Sequence, residues 1–489
     1  METAIEQAGG HGPYQKKMLA ILCGVFWVAS CYVMGMGFYL APPKLICSDG
    51  KACSQATACG HSYTKDTQSV HGMSYEWDLV CEREYVSTLI GVIYFIGTVT
   101  GSPAMSWLAN TVGRKQCTVY ALGTTCVILL AGGFSPSPEV IYGVSFVSGF
   151  TMAGFGVGTF LLLDEMVDTE YRNLYSGLLF AFWSVGTCSN AVLFYFLDNW
   201  RHVMLIYAVV SILLIPLVCT LHESVRWVIV NKKNVPEANR ILQQMAQYNG
   251  ITDWKIEVHH VRFQGQEPQE SSEGADEKLL QQMDAEVHFT DLFSYHRTRT
   301  RVIACAILYF GNNLCYYGII FALSTYIGNI YVNGGVLGIG EIIPSIVTGA
   351  ILNHLPRKAG SLVSGFLGAL TAAGAYLCIL WPCDRTSGGC LIADTSTAFL
   401  LFLSMYVFAS SFMMLAIFIT ELFPTRYRSL ALGLCNTCAK VGGLLSSTLM
   451  VLRGFAGVHP LLIIAGSSFI GSLSVLLLPE TKGKELEDY

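Results

Sequence analysis

Long apolar runs separated by short polar turns dominate the chain. Twelve runs come close to the roughly 20 residues that a helix needs to cross a bilayer. The first six lie at roughly 18–40, 86–108, 117–134, 139–163, 174–197 and 203–221. The other six lie at roughly 302–323, 329–352, 360–381, 397–420, 430–452 and 459–478. Lipid offers no partner to a free backbone N–H or C=O, so each run is predicted to be helical. The expected fold is an all-α membrane protein of twelve transmembrane helices in two pseudo-symmetric six-helix bundles. The predicted domains are 1–221, with an outer loop at 41–85, a cytosolic linker with short helices at 222–300, and 301–489. Within the linker, Pro236 to Gln247 reads as a short surface helix, and Gln264 to Asp276 has the composition of disorder.

The polar turns repeat. Glu165-Met-Val-Asp-Thr169-Glu-Tyr171-Arg172 recurs as Glu421-Leu-Phe-Pro-Thr425-Arg-Tyr427-Arg428. Asn110-Thr-Val-Gly-Arg114-Lys115 recurs as Asn353-His-Leu-Pro-Arg357-Lys358, and His222-Glu223-Ser224 as Pro479-Glu480-Thr481. Two similar membrane halves are the usual architecture of an alternating-access transporter, with the substrate held between them. Glu165, Arg172, Glu421 and Arg428, with Arg114 and Arg357, are therefore candidate gate residues. They are expected to form ion pairs between the halves when the inner side is shut.

Composition agrees with a membrane chain. Hydrophobic residues make up 53% and charged residues 13%, against roughly 25% charged in soluble domains. The net charge of −5 gives no reason to expect nucleic-acid binding. The segment from Met1 to Lys17 lacks the apolar core and cleavage site of a removable signal peptide. Lys16, Lys17, Arg114, Lys115, Arg172, Arg357, Lys358, Arg426, Arg428, Lys482 and Lys484 fall in turns on one side, and Arg201, Arg385 and Arg453 on the other. That bias predicts both termini in the cytosol.

Of the 17 cysteines, Cys47, Cys53, Cys59 and Cys81 cluster in the first outer loop, and Cys383 and Cys390 flank another outer turn. Confinement to the predicted outer face suggests disulfides, with three pairings open for the first four. Zinc is the rival, without CxxC spacing to support it in those loops.

Well inside the spans, the ionisable side chains are Glu341 in the eighth and Lys440 in the eleventh. Each costs at least ~3 kcal/mol at bilayer depth unless it faces a partner or water. They form either a structural ion pair or a substrate site. Lys440 suits a carboxylate or other anion. Glu341 suits a cation, an amine or a proton, and a zwitterion satisfies both. Tyr309, Phe310, Tyr316 and Tyr317 in the seventh span and Trp183 in the fifth are candidate pocket aromatics, with packing as the plain alternative. Tyr309 and Tyr316 share a helical face. Asn312 and Asn313 are expected to line the same cavity. Gly149, Gly154, Gly156, Gly158, Gly442 and Gly443 suit close helix packing.

Tyr75-Glu-Trp77-Asp78-Leu79-Val80-Cys81-Glu82, just before the second span, resembles a signature of the major facilitator superfamily. The branch is the one that carries organic cations, organic anions and carnitine. Glu223-Ser-Val-Arg226-Trp227, Glu421-Leu-Phe-Pro424-Thr425 and Pro479-Glu480-Thr481 agree with it, and the resemblance covers nearly the whole chain. It implies that Lys440 stands where organic-anion and carnitine members have arginine and organic-cation members aspartate. Glu341, before Pro344, matches an acidic position of the eighth helix. Tyr309, Tyr316 and Trp183 match pocket aromatics, and Leu355-Pro356-Arg357-Lys358 is similar to the carnitine subgroup. The chain departs from the family where Asn110-Thr111 and Asn353-His354 replace the usual Asp-Arg of the inner loops.

The expected function is secondary transport of an organic ion, with an anion or zwitterion such as carnitine or a carboxylate favoured. The expected partners are the small organic ion and the lipid bilayer. The expected location is the plasma membrane, as a monomer or as part of a membrane assembly. The alternatives are a sugar or polyol porter of the same fold, and a non-transporting scaffold subunit. No phosphate-cradling loop or His-Glu-x-x-His motif points to an enzyme, a metal or a cofactor.

Overall fold

The computed structural model describes residues 2–47, 52–53, 63–67, 69–251, 291–294, 296–326, 330–381, 391–451 and 459–482. The stretch from Gln264 to Asp276 and Cys59, Cys383 and Cys390 lie outside the described residues, as does the side chain of Cys53.

Spans 1 to 6 are Pro13–Tyr39, Glu84–Thr111, Arg114–Gly133, Pro138–Met166, Thr169–Leu197 and Trp200–Cys219. Spans 7 to 12 are His296–Tyr326, Ile330–Ile351, Arg357–Leu380, Leu391–Leu422, Thr425–Val451 and Pro460–Ser474. Among the described residues, eleven helices are long and apolar enough to cross a membrane. Span 11 has the length, but Asn436, Thr437 and Lys440 make it more polar than the rest. Pro13, Pro138 and Pro460 each open a helix, where the missing N–H costs nothing and the fixed φ suits the first turn.

Span 4 is not a uniform helix. Its α-helix stops at Gly154, a π-turn covers Phe155–Thr159, and α-geometry resumes at Phe160–Met166. The extra residue re-aims the side chains on either side of it.

The two halves repeat one packing pattern. In the first half span 1 packs on 5, 2 on 4 and 3 on 6; in the second, 7 packs on 11, 8 on 10 and 9 on 12. The halves meet where span 2 packs on 11 and span 5 on 8. Lipid tails supply no hydrophobic drive between helices, so close backbone approach matters. At the crossing of spans 2 and 4, a Cβ on Gly149 would stand 2.1 Å from the carbonyl oxygen of Tyr94. Gly154, Gly158, Gly442 and Gly443 are also tightly packed, but Gly156 has open space where a side chain would go. Leu213, Val363, Leu370 and Ile470 are each more than half exposed and form part of the lipid-facing surface.

Both described chain ends lie on one face, called here the terminal face. Ala4, Ile5 and Ala8 are buried there against the helix Val235–Tyr248. Asn249 Nδ2 donates to the carbonyls of Ala8 and Gly9, and its Oδ1 accepts from the backbone N–H of Tyr14. His11 stacks on Tyr171 with ring centres 3.7 Å apart and hydrogen-bonds the Tyr175 hydroxyl.

On the opposite face the strands Leu45–Cys47, Ala52–Cys53 and Tyr63–Lys65 form a small antiparallel sheet with the first strand in the middle. Cys47 and Cys81 each take part in a disulfide. Glu76 accepts from the Trp200 indole at 2.7 Å and pairs with Arg201 at 2.7 Å. The Tyr75–Glu82 segment thus fastens the loop to the start of span 6.

Candidate functional site

A central cavity lies between the halves. It offers about 120 Å³, roughly ten times the ~10–15 Å³ that one buried water requires. Lys440, Glu341, Tyr309, Tyr316, Trp183 and Asn313 all line it. The π-turn in span 4 brings Phe155 and Gly156 to the same wall. Tyr317 joins them, whereas Phe310 and Asn312 do not. Asn312 is buried beside the cavity rather than in its wall, one helical step away from Asn313.

Glu341 and Lys440 do not pair with each other among the described residues. Tyr316 donates its hydroxyl to Glu341 Oε1 at 2.5 Å, and Ser184 Oγ donates to Oε2 at 2.8 Å. Ser184 is on span 5 and Glu341 on span 8, so this carboxylate joins the two halves at mid-depth. Lys440 has no hydrogen bond or ion pair among the described residues. Its ammonium lies 6.0 Å from the centre of the Tyr317 ring. Three buried polar atoms of the wall also lack a hydrogen bond among the described residues: the Tyr309 hydroxyl, the Asn313 amide nitrogen and the Ser102 hydroxyl. All three are able to donate a hydrogen bond.

The rest of the wall is aromatic. Phe180 of span 5 meets Phe412 of span 10 edge-on at 5.9 Å, and Phe412 leads on to Tyr309 at 6.1 Å. Phe26 lies against both Phe180 and Trp183. Neither Phe180 nor Phe412 stands out in the sequence, because an aromatic in an apolar run reads equally as lipid-facing.

At the terminal face the repeated motifs build two copies of one knot. In the first, Arg114 donates to the carbonyl of Ala109 and pairs with Glu165 at 3.2 Å, and Ser224 donates to Glu165. In the second, Arg357 donates to the carbonyl of Leu352 and pairs with Glu421 at 2.9 Å, and Thr481 donates to Glu421. Glu223 accepts from the backbone N–H groups of Lys115 and Ser224, as Glu480 does from those of Arg357, Lys358 and Thr481. The knots differ in depth. Burial pushes the Glu223 carboxyl above the usual range despite its backbone donors. At Glu480 burial pushes the same way, but the donors outweigh it and hold the carboxyl below that range.

The expected pairs between halves take a different form. Arg428 crosses to Glu165, at 3.9 Å. Arg172 instead sits by Asp164 of its own half, at 3.8 Å. Glu421 takes its partners from the second half alone among the described residues. Asn110, which replaces the usual aspartate, accepts from Ser429 across the halves at 3.1 Å and from Asn231 at 3.1 Å.

Two halves of six helices around a central cavity, with matched knots at one end, define an alternating-access membrane carrier. The chain belongs to the Major Facilitator Superfamily, whose family model matches residues 83–447, and such proteins are transporters rather than enzymes. It is similar to solute carrier family 22 member 7 of Bos taurus, 27% identical over 439 residues, covering 89% of this chain and 75% of that protein. It is also similar to solute carrier family 22 member 15-like of Xenopus tropicalis, 24% identical over 491 residues, covering 100% of this chain and 95% of that one. Among solved structures, the proton:xylose symporter XylE bound to 6-bromo-6-deoxy-D-glucose superposes with a TM-score of 0.64. The two are 13% identical, with 97% of this chain and 98% of that chain covered, so the likeness is one of fold.

Proposed function

We propose that this chain is a secondary transporter that moves an organic anion or zwitterion through the central cavity by alternating access. One observation carries the reading. The Lys440 ammonium faces a membrane-embedded cavity without an ion pair among the described residues, and the Tyr309 and Ser102 hydroxyls and the Asn313 amide nitrogen of the same wall are able to donate. A lone cation at that depth costs at least ~3 kcal/mol, and a bound anion removes the cost. Glu341 uses one site on each oxygen for Tyr316 and Ser184, which leaves room for a substrate ammonium. A zwitterion such as carnitine then meets both charges. The aromatic wall covers the substrate's apolar body. Both termini in the cytosol and residence in the plasma membrane complete the proposal, supported by the bias of lysine and arginine among the turns.

The test is uptake into proteoliposomes of carnitine, glutarate, tetraethylammonium and glucose. Lys440→Ala should weaken carnitine and glutarate uptake by about ten- to a hundred-fold, the scale of one charge-assisted hydrogen bond. Lys440→Asp should favour tetraethylammonium. Equal uptake of all four by wild type and both variants would refute the reading. Glucose uptake indifferent to Lys440 would favour a sugar porter. No flux above empty vesicles would favour a scaffold.

A further inference from the structure

The halves meet on two flanks, span 5 against 8 and span 2 against 11, and the flanks are copies of each other. Counting on from Glu165 and Glu421 matches Gly177 with Gly433 and Ser184 with Lys440. Counting back from Asn110 and Asn353 matches Ser102 with Ser345, Thr98 with Glu341 and Phe95 with Gly338. The packing follows the count. A Cβ on Gly177 would stand 2.6 Å from the carbonyl oxygen of Ser345, and one on Gly433 would stand 3.4 Å from that of Ser102. Nearer the opposite face Gly338 packs on Ser184 and Cys188, and Phe95 packs on Gly443. Between these contacts lie Ser184 and Glu341 on one flank, Lys440 and Thr98 on the other. The first flank has its own latch, because Ser184 donates to Glu341 across the halves at 2.8 Å. The second has a cation in place of the serine and a threonine in place of the acid. Thr98 is buried and gives its hydroxyl to the carbonyl of Phe95 in its own helix. Ser102, one turn along the same face of span 2, lines the cavity, and its buried hydroxyl has no hydrogen bond among the described residues.

We propose that the substrate's own carboxylate completes the second latch: held by Lys440 of span 11 and Ser102 of span 2, it fastens that flank as the Glu341 carboxylate fastens the other. Thr98 stands where the protein's own acid would otherwise compete for Lys440. A ligand shifts an equilibrium only by its differential affinity for the two states. A carboxylate meets both Lys440 and Ser102 only while spans 2 and 11 are together, so its binding favours the arrangement closed around it. A solute without an anionic group leaves this flank unlatched, which makes Ser102 and Thr98 specificity-determining positions outside the pair of mid-span charges. The identity of the passenger rests on the organic-ion reading, but the latch itself is tested without any passenger.

The test is hydrogen exchange on the full chain in lipid nanodiscs without substrate. Thr98→Glu gives the second flank an acid of its own. Exchange at amides 95–106 and 433–443 should slow by about tenfold, the scale of one added charge-assisted hydrogen bond. Adding Lys440→Ala to the same chain should abolish the slowing, and the neutral Thr98→Gln should not produce it. In proteoliposomes Thr98→Glu should lower carnitine and glutarate uptake by about tenfold or more, because the built-in acid takes the substrate's place at Lys440. If Thr98→Glu does not fold, Ser102→Ala decides: glutarate should slow exchange at the same amides of wild type, and about tenfold less in Ser102→Ala. Unchanged or faster exchange in folded Thr98→Glu, slowing that survives Lys440→Ala, equal slowing in Thr98→Gln, or equal protection by glutarate in wild type and Ser102→Ala would each overturn the proposal. Failure of the substrate-free exchange sinks this latch alone, whereas anion uptake indifferent to Lys440 sinks the organic-ion reading and the latch with it.

Discussion

Arg428 of the second half lies 3.9 Å from Glu165 of the first, and both side chains are fully buried. The pair belongs to a network in which Arg114 and Ser224 also hold Glu165. Removing one partner of a buried pair strands the other charge, which costs about 3–5 kcal/mol. Glu165→Gln should therefore lower the melting temperature clearly. Glu421→Gln should do so less, because Glu421 is partly exposed and its ion pair is with Arg357 of its own half. Its loss is expected to cost about 1.5–3 kcal/mol. Thermal unfolding of both variants in the same lipid checks the order, and an equal or reversed order would contradict this assignment of the clamp.

Glu341 should behave as a held carboxylate rather than a free one. Tyr316→Phe and Ser184→Ala each remove one donor to it. Each is expected to cost about 1–3 kcal/mol, because an acceptor is left buried without its partner. Ser184→Ala also removes the direct bond from Glu341 to the first half, whereas Tyr316→Phe removes a donor that Glu341 takes from its own half. Hydrogen exchange in spans 5 and 8 should therefore rise more in Ser184→Ala. Equal changes would mean that the bond across the halves carries no coupling.

How much of this was legible in the chain depends on what each residue announces. Spans declared themselves because hydrocarbon demands long apolar runs, and the limits lie within about two helical turns of the observed ones. Lys440 and Glu341 stood out because charge in mid-span is rare. Asp164 did not: near a helix end, an acid next to Glu165 reads as part of the polar turn, and its burial shows only in three dimensions. The π-turn at Phe155–Thr159 left no signal beyond two glycines in an apolar run. The Phe180–Phe412 contact depends on which faces of spans 5 and 10 meet, and uniformly apolar helices carry no stripe to reveal that.

The N-terminal strap should loosen on acidification. Burial and the nearby Lys16 hold the His11 ring below its usual pKa of 6.5. The folded chain therefore binds the proton less readily than the unfolded one. The strap's contribution is complete above 6.5 and falls as pH drops through that value towards the lower folded one. Exchange at amides 4–12, corrected for its intrinsic pH dependence, should rise between about pH 7 and pH 5. His11→Asn should flatten that dependence.

On the opposite face, Glu76 holds the Trp200 indole and Arg201 together, and the Arg201 guanidinium lies 4.5 Å from the centre of the Trp200 ring. Glu76→Ala should free the loop from span 6 without disturbing the membrane helices. Limited proteolysis should then cut within 41–83 sooner, while the melting temperature changes little. A melting temperature that falls along with faster cutting would show that the loop supports the bundle itself.

Two glycines of span 4 should respond oppositely to the same added methyl. At Gly149 a Cβ would lie 2.1 Å from the carbonyl oxygen of Tyr94, so spans 2 and 4 must separate to admit it. Overpacking of this kind costs about 1–3 kcal/mol, and backbone cannot rotate out of the way as a side chain can. Gly149→Ala should lower folded yield and melting temperature. Gly156, two turns on, has nothing within 4 Å of its Cβ position and lines the cavity. Gly156→Ala should leave the melting temperature unchanged or slightly higher, since alanine favours helix. Its methyl enters the substrate space instead, so half-saturation for a bulky substrate should rise while that for a small one stays put. Melting curves and paired uptake assays separate the two variants. Loss of stability at Gly156 would mean that the π-turn needs glycine for its backbone rather than for the room it leaves.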